Sequence, residues 1–256
     1  MPYFILILFF AVFAHGATSP AETQAALGAN HLAKGDAEAA VAAYEKAAEL
    51  DPRNSVIHHQ LGEAYGLAAQ NAGTFARIGW AKKTRAAYEK AVELDPRNLA
   101  ARQSLMTFYQ MAPSMMGGGM DKAHAQAAAI REIDPARGRV ATAILHIGEK
   151  KYAEARAEID EVLRAEPEHY AALFQVGRLA ALTGEQLDQG EQALRKCLAL
   201  TPTSGAPGHD AAHWRLGNIH EKKGDKSAAR AAYESSLKTN PKFPQAADAL
   251  KKLGSS

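Results

Sequence analysis

The stretch Trp214–Pro241, WRLGNIHEKKGDKSAARAAYESSLKTNP, decides the fold of this 256-residue chain. It runs from a large residue through Leu216-Gly217 to a Gly224-Asp225 turn signal. Ala229 and Ser236 then flank Tyr233, and Pro241 closes the segment. Near the other end, Leu27-Gly28, Gly35-Asp36, Ala40, Tyr44, Ala47 and Pro52 follow in the same order. Between these ends the closing X-Pro recurs, at Asp51-Pro52, Asp95-Pro96, Asp134-Pro135, Glu166-Pro167, Thr201-Pro202 and Asn240-Pro241. The prolines are 44, 39, 32, 35 and 39 residues apart. Repetition near a period of about 34 residues, behind alanine-rich amphipathic segments, is the mark of stacked helix–turn–helix pairs.

The pattern has a packing logic. Gly28, Gly62, Gly177 and Gly217 fall on first helices, and Ala40, Ala123, Ala155, Gly190 and Ala229 on second helices. Small residues are needed where two backbones approach closely, and Tyr44, Tyr88 or Tyr233 then fills the space beside them. One pair cannot bury its apolar face alone, so stacking stabilises the array. The second unit keeps Leu61-Gly62, Tyr65, Thr84, Tyr88, Ala91 and Pro96, whereas Met106 and Ala143 replace the glycine in the third and fourth. This pattern resembles the tetratricopeptide repeat family across nearly all of the chain beyond its first residues. The match is specific in the first, second and sixth units and weaker in the three between. The resemblance implies an all-α, right-handed superhelical array of about six helix–turn–helix repeats. The units fall at about 21–54, 55–98, 99–135, 136–167, 170–202 and 210–243 within a domain spanning 17–256, with a capping helix at 244–253.

Spacing places the extra residues. Ten lie within Gln70–Trp80 and five within Ala112–Gly119, both expected as loops on one rim, and Thr203–Gly208 forms a third loop. Ser19-Pro20-Ala21-Glu22 is a helix start of the capping-box kind.

Residues Tyr3–Ala14, YFILILFFAVFA, are an unbroken apolar run. Twelve residues are short of the roughly 20 that span a bilayer but suit an export signal. Ala14-His15-Gly16 offers small residues for cleavage before Ala17, giving a signal at 1–16, although no Lys or Arg precedes the run. The expected location is periplasmic or secreted, with an uncleaved anchor as the competing reading. A formal charge of +2 with both signs interspersed speaks against a nucleic-acid partner, which calls for a basic face. The lone Cys197 stands at a small-residue position and reads as a buried, inert thiol.

No catalytic constellation emerges, and no cofactor is expected. Gly117-Gly118-Gly119-Met120-Asp121-Lys122 lacks phosphate-loop spacing and a preceding strand, so it reads as a turn. Met106, Met111, Met115, Met116 and Met120 cluster ahead of His124. Thioethers with an imidazole suit Cu(I), so Met111, Met115, Met116, Met120 and His124 form an alternative copper-binding set. Methionine as adaptable packing is the preferred reading. His31, His146 and His220 stand where Tyr65 and Tyr109 stand in other units and read as packing residues.

The resemblance further implies that first helices line a concave groove. Matching positions unit by unit gives His59, Glu63, Gln103, Thr107, Gln110, Phe174, Arg178, Trp214 and Asn218. Amides, a few charges and two aromatics suit a protein or peptide segment. The Lys and Asn cluster with which some members hold a C-terminal carboxylate is missing from these positions. The expected function is an exported, non-catalytic scaffold. A core role for Trp214 within the sixth unit is the competing account.

Overall fold

A computed structural model describes residues 18–254, so the export signal expected at 1–16 lies outside the described residues. Among the described residues there are thirteen α-helices and no strand. They form two compact units, divided after Leu94.

The first unit holds α1 (Pro20–Lys34), α2 (Ala37–Leu50), α3 (Ser55–Asn71) and α4 (Thr74–Leu94). Ser19 and Glu22 form a reciprocal capping box that satisfies two amides at the start of α1. Gly35 ends that helix at φ 77°, a left-handed conformation that costs other residues dearly. Asp36 and Asn54 then cap α2 and α3 by accepting from backbone amides. Each helix packs on the next, and α1 also touches α3. A side chain at Gly28 would begin 2.8 Å from the Tyr44 ring, and one at Gly62 only 2.4 Å from Tyr88. These tyrosines therefore occupy the space that the glycines leave.

The extra residues at Gln70–Trp80 are not a rim loop. They lengthen α3 and α4, and only Ala72-Gly73 separates the two helices. Arg77 explains the tight join, because its guanidinium donates to the carbonyls of Ala69 (3.2 Å) and Ala72 (3.0 Å). Carbonyls at a helix end otherwise lack partners. Trp80 packs on the core, and Lys83 Nζ sits 5.0 Å from the ring centroids of both Tyr65 and Trp80.

The second unit runs from α5 (Leu99–Met111) through a short 3₁₀ turn (Ser114–Met116) to α6 (Met120–Ile133). Next come α7 (Pro135–Gly148), α8 (Tyr152–Ala165), α9 (Tyr170–Thr183) and α10 (Leu187–Ala199). The unit ends with α11 (His209–Lys222), α12 (Lys226–Thr239) and α13 (Pro244–Gly254). Asp134 closes α6 and also caps α7, so Pro135 opens a helix here rather than trailing one. First helices also touch each other, α7 on α9 and α9 on α11. A side chain at Gly177 would begin 2.2 Å from Leu194, and one at Gly217 2.2 Å from Tyr233. Met106 and Ala143, which replace the glycine, are both fully buried. Cys197 is buried too, and burial pushes its thiol up to about 12, which removes the reactive thiolate.

Candidate functional site

In the first unit, His59 and Glu63 belong to an internal network. Tyr88 donates its hydroxyl to Glu63 at 2.8 Å, and His59 Nε2 lies 3.4 Å from the same carboxylate oxygen. In the second unit, Thr107 is exposed and its hydroxyl donates to the Gln103 carbonyl. Gln110 reaches the Ile144 carbonyl at 3.5 Å and so ties α5 to α7. Phe174 must be corrected: it is 4% exposed and packs inside the core around α9, out of reach as a surface anchor. Its side chain is needed there because α9 is covered by neighbours on nearly every side.

The shared face of α9 and α11 is different. Arg178 is half-buried, its Nε has no hydrogen-bond partner, and a terminal nitrogen makes one long bond of 3.4 Å to Gln175. Gln175 itself is buried. Arg215, also half-buried, has an orphaned Nε as well. Its guanidinium lies 4.0 Å from the centroid of the Trp214 ring and donates to Asn218 Oδ1 at 3.4 Å. Asn218 is fixed in turn by donating to the Tyr233 hydroxyl at 2.9 Å, and Tyr233 donates to Glu221. Trp214 stands edge-on to Phe243, 5.9 Å between centroids, so it is wedged between the arginine and the start of α13. This tryptophan is neither fully exposed nor fully buried, and it packs against the core at α12 and α13.

The electrostatics sharpen the picture. Desolvation lowers the pKa of Arg178. Desolvation, and then the charge of Arg178, brings Arg215 down to about 10. Among the described residues no carboxylate forms an ion pair with either arginine. Arg131 and Arg139, by contrast, share Glu158 at 3.2 and 2.8 Å. Leaving a buried donor without a partner costs about 1–3 kcal/mol. Two guanidinium groups near enough for one charge to act on the other, each with donors in a fixed fork, offer the kind of donors that bind a carboxylate in bidentate fashion.

Sequence reasoning singled out Arg178, Trp214 and Asn218 but missed Arg215. Counting back from the helix glycine, Arg215 matches Gln175, which is a core position in α9. The signal was an arginine at a place whose counterpart is buried. Of the copper set, Met111 and Met115 are 78% and 74% exposed, and Met106, outside that set, is fully buried. His124 turns instead toward His146 and Glu149.

A family model described as "TPR repeat" matches residues 28–67, and one described as "Tetratricopeptide repeat" matches 140–205, 179–247 and 215–256. No curated protein matches the chain. Among solved structures it is similar to PilW, described as a widely conserved type IV pilus biogenesis factor. The identity is 15%, covering 91% of this chain and 100% of that one, with a TM-score of 0.56. A tetratricopeptide repeat protein from Parabacteroides merdae is similar at 14% identity, covering 91% and 98%, with a TM-score of 0.55. The Cut9–Hcn1 hetero-tetramer of the APC/C matches at 13% identity over 88% of this chain and 41% of that one, with a TM-score of 0.63. At such identities the likeness is one of fold. No helix of the described residues is long and apolar enough to cross a membrane.

Proposed function

Since this chain belongs to the tetratricopeptide repeat family, a fold for protein interaction, we propose that it is an exported, non-catalytic scaffold that captures an acidic protein segment through Arg178 and Arg215. The observation that carries this reading is the pair itself: two half-buried guanidinium groups with orphaned donors and, among the described residues, no paired carboxylate. A partner's Asp, Glu or terminal carboxylate would accept both sets of donors and relieve the repulsion between them. Charge-assisted bonds of this kind are about twice as strong as neutral ones. Trp214 and Asn218 hold Arg215 from two sides, so little side-chain entropy is left to lose on binding. The apolar run Tyr3–Ala14 supports export, and a mature terminus near Ala17 by mass spectrometry is the check.

Selection of a random peptide library displayed with free C-termini tests the site. The protein should enrich carboxylate-bearing peptides, and Arg178→Met with Arg215→Met should lose that enrichment while far-UV circular dichroism is unchanged. Anchors of this type commonly contribute 2 kcal/mol or more, roughly a thirtyfold affinity change. Enrichment indifferent to carboxylates, or undiminished in the double variant, would remove the pair from the function.

A further inference from the structure

We propose that His124, His146 and Glu149 form a binding site for a divalent metal ion of the zinc type, on a part of the second unit that the arginine pair does not use. His124 comes from α6, His146 from the last turn of α7, and Glu149 is the residue that closes α7. One ligand atom from each lies within 4.8 Å of the others. His124 Nε2 is 3.3 Å from Glu149 Oε1, and His146 Nδ1 is 3.5 Å from Glu149 Oε2. Zinc bonds of about 2.0–2.2 Å set neighbouring ligand atoms about 3.3–3.5 Å apart around a tetrahedron. Both closest spacings are of that size, one to each oxygen of the Glu149 carboxylate.

The polar atoms are also left wanting. His146 Nδ1 and Glu149 Oε2 are buried and lack a hydrogen-bond partner. Lys151 Nζ stands 3.1 Å from Glu149 Oε2, an ion pair without an aligned hydrogen bond. The turn that presents these groups is held firmly. Lys151 N donates to the His146 carbonyl at 2.8 Å, and Lys150 N to that of Ile147 at 3.1 Å. Lys150 adopts φ 61°, at a turn where other helix pairs place Gly35 and Gly224.

Two imidazoles and a carboxylate are a borderline donor set that suits Zn²⁺ and its neighbours late in the first-row series. They leave a fourth position for water. Nitrogen and oxygen donors separate this set from a thioether Cu(I) site. Lys151 is the competing cation, and a metal ion takes its place beside Glu149.

The test is titration of the full chain with Zn²⁺ alone, followed by calorimetry, with Co²⁺ absorption as an optical probe of tetrahedral nitrogen and oxygen ligation. One saturable equivalent is expected. Losing a group that merely orients a metal ligand weakens binding about 10–100-fold, so His124→Ala, His146→Ala and the near-isosteric Glu149→Gln should each weaken it at least tenfold. Lys151→Met, at a surface position, should tighten it. It also keeps the test decisive if an alanine variant fails to fold. Absence of a saturable equivalent, or Zn²⁺ binding unmoved by Glu149→Gln and Lys151→Met, would overturn the proposal. Loss of the equivalent in Met111→Leu with Met115→Leu would overturn it too, by placing the metal on the loop.

Discussion

Gly217 and Gly79 are the same residue type under opposite constraints. A side chain at Gly217 would begin 2.2 Å from the Tyr233 ring, whereas nothing lies within 4 Å of one at Gly79, inside α4. Overpacking a tight contact costs about 1–3 kcal/mol, occasionally more, so Gly217→Leu should lower the melting temperature clearly. Glycine inside a helix is worse than alanine by about 0.5–1 kcal/mol, so Gly79→Ala should raise it. Thermal unfolding of the two variants checks both signs at once. The first contrast was legible in the sequence, because Gly217 and Tyr233 recur together as Gly28 with Tyr44 and Gly62 with Tyr88. Arg215 was not legible, since register alone assigns it to the buried place of Gln175. Only the structure shows the Arg215 guanidinium stacked on Trp214, which in turn packs against Phe243.

At the scale of elements, the sequence located the helix pairs but mistook a lengthened pair for a loop. The long proline interval suggested a loop at Gln70–Trp80, yet Ala76, Arg77, Ala81 and the two lysines after it favour helix, and Arg77 closes the turn. Between α10 and the end of α11 an electrostatic clasp adds to the apolar packing. Lys223 pairs with Asp188 and, at 2.6 Å, with Glu191, which Arg195 also meets at 2.6 Å. Hydrogen bonds from Lys223 hold both carboxyls below their usual range, against the opposing effect of desolvation. The same bonds, to Asp188 first and then Glu191, raise Lys223. A carboxyl with a depressed folded pKa stabilises fully above its unfolded value of about 4 and loses that contribution as pH falls through the folded value. A raised lysine contributes fully below about 10.4 and loses its contribution as pH rises through its folded value. The clasp is thus at full strength between these limits. Lys223→Met should lower the melting temperature at neutral pH and flatten its decline on acidification. A parallel displacement of the whole profile would mean that the clasp contributes through packing alone.

Taken whole, the molecule carries nearly balanced charge, with 30 Lys and Arg against 28 Asp and Glu. Arg131 and Arg139 are half-buried and meet an anion, Glu158, while the half-buried Arg102 and Arg156 bond to carbonyl or amide oxygens. Arg178 and Arg215 differ from these in having an orphaned Nε, no carboxylate among the described residues and each other's charge nearby. A charge drawn out of water without a partner destabilises, and even a buried ion pair can often be replaced by apolar groups of similar size with a neutral effect or a gain of about 1–4 kcal/mol. The melting temperature of Arg178→Met with Arg215→Met therefore tests the central claim most directly. If the pair exists to receive a partner's carboxylate, the double variant melts higher. Each kcal/mol gained corresponds to about 2–4 °C in a chain of this size. A melting temperature several degrees lower would contradict the account, because the arginines would then be structural.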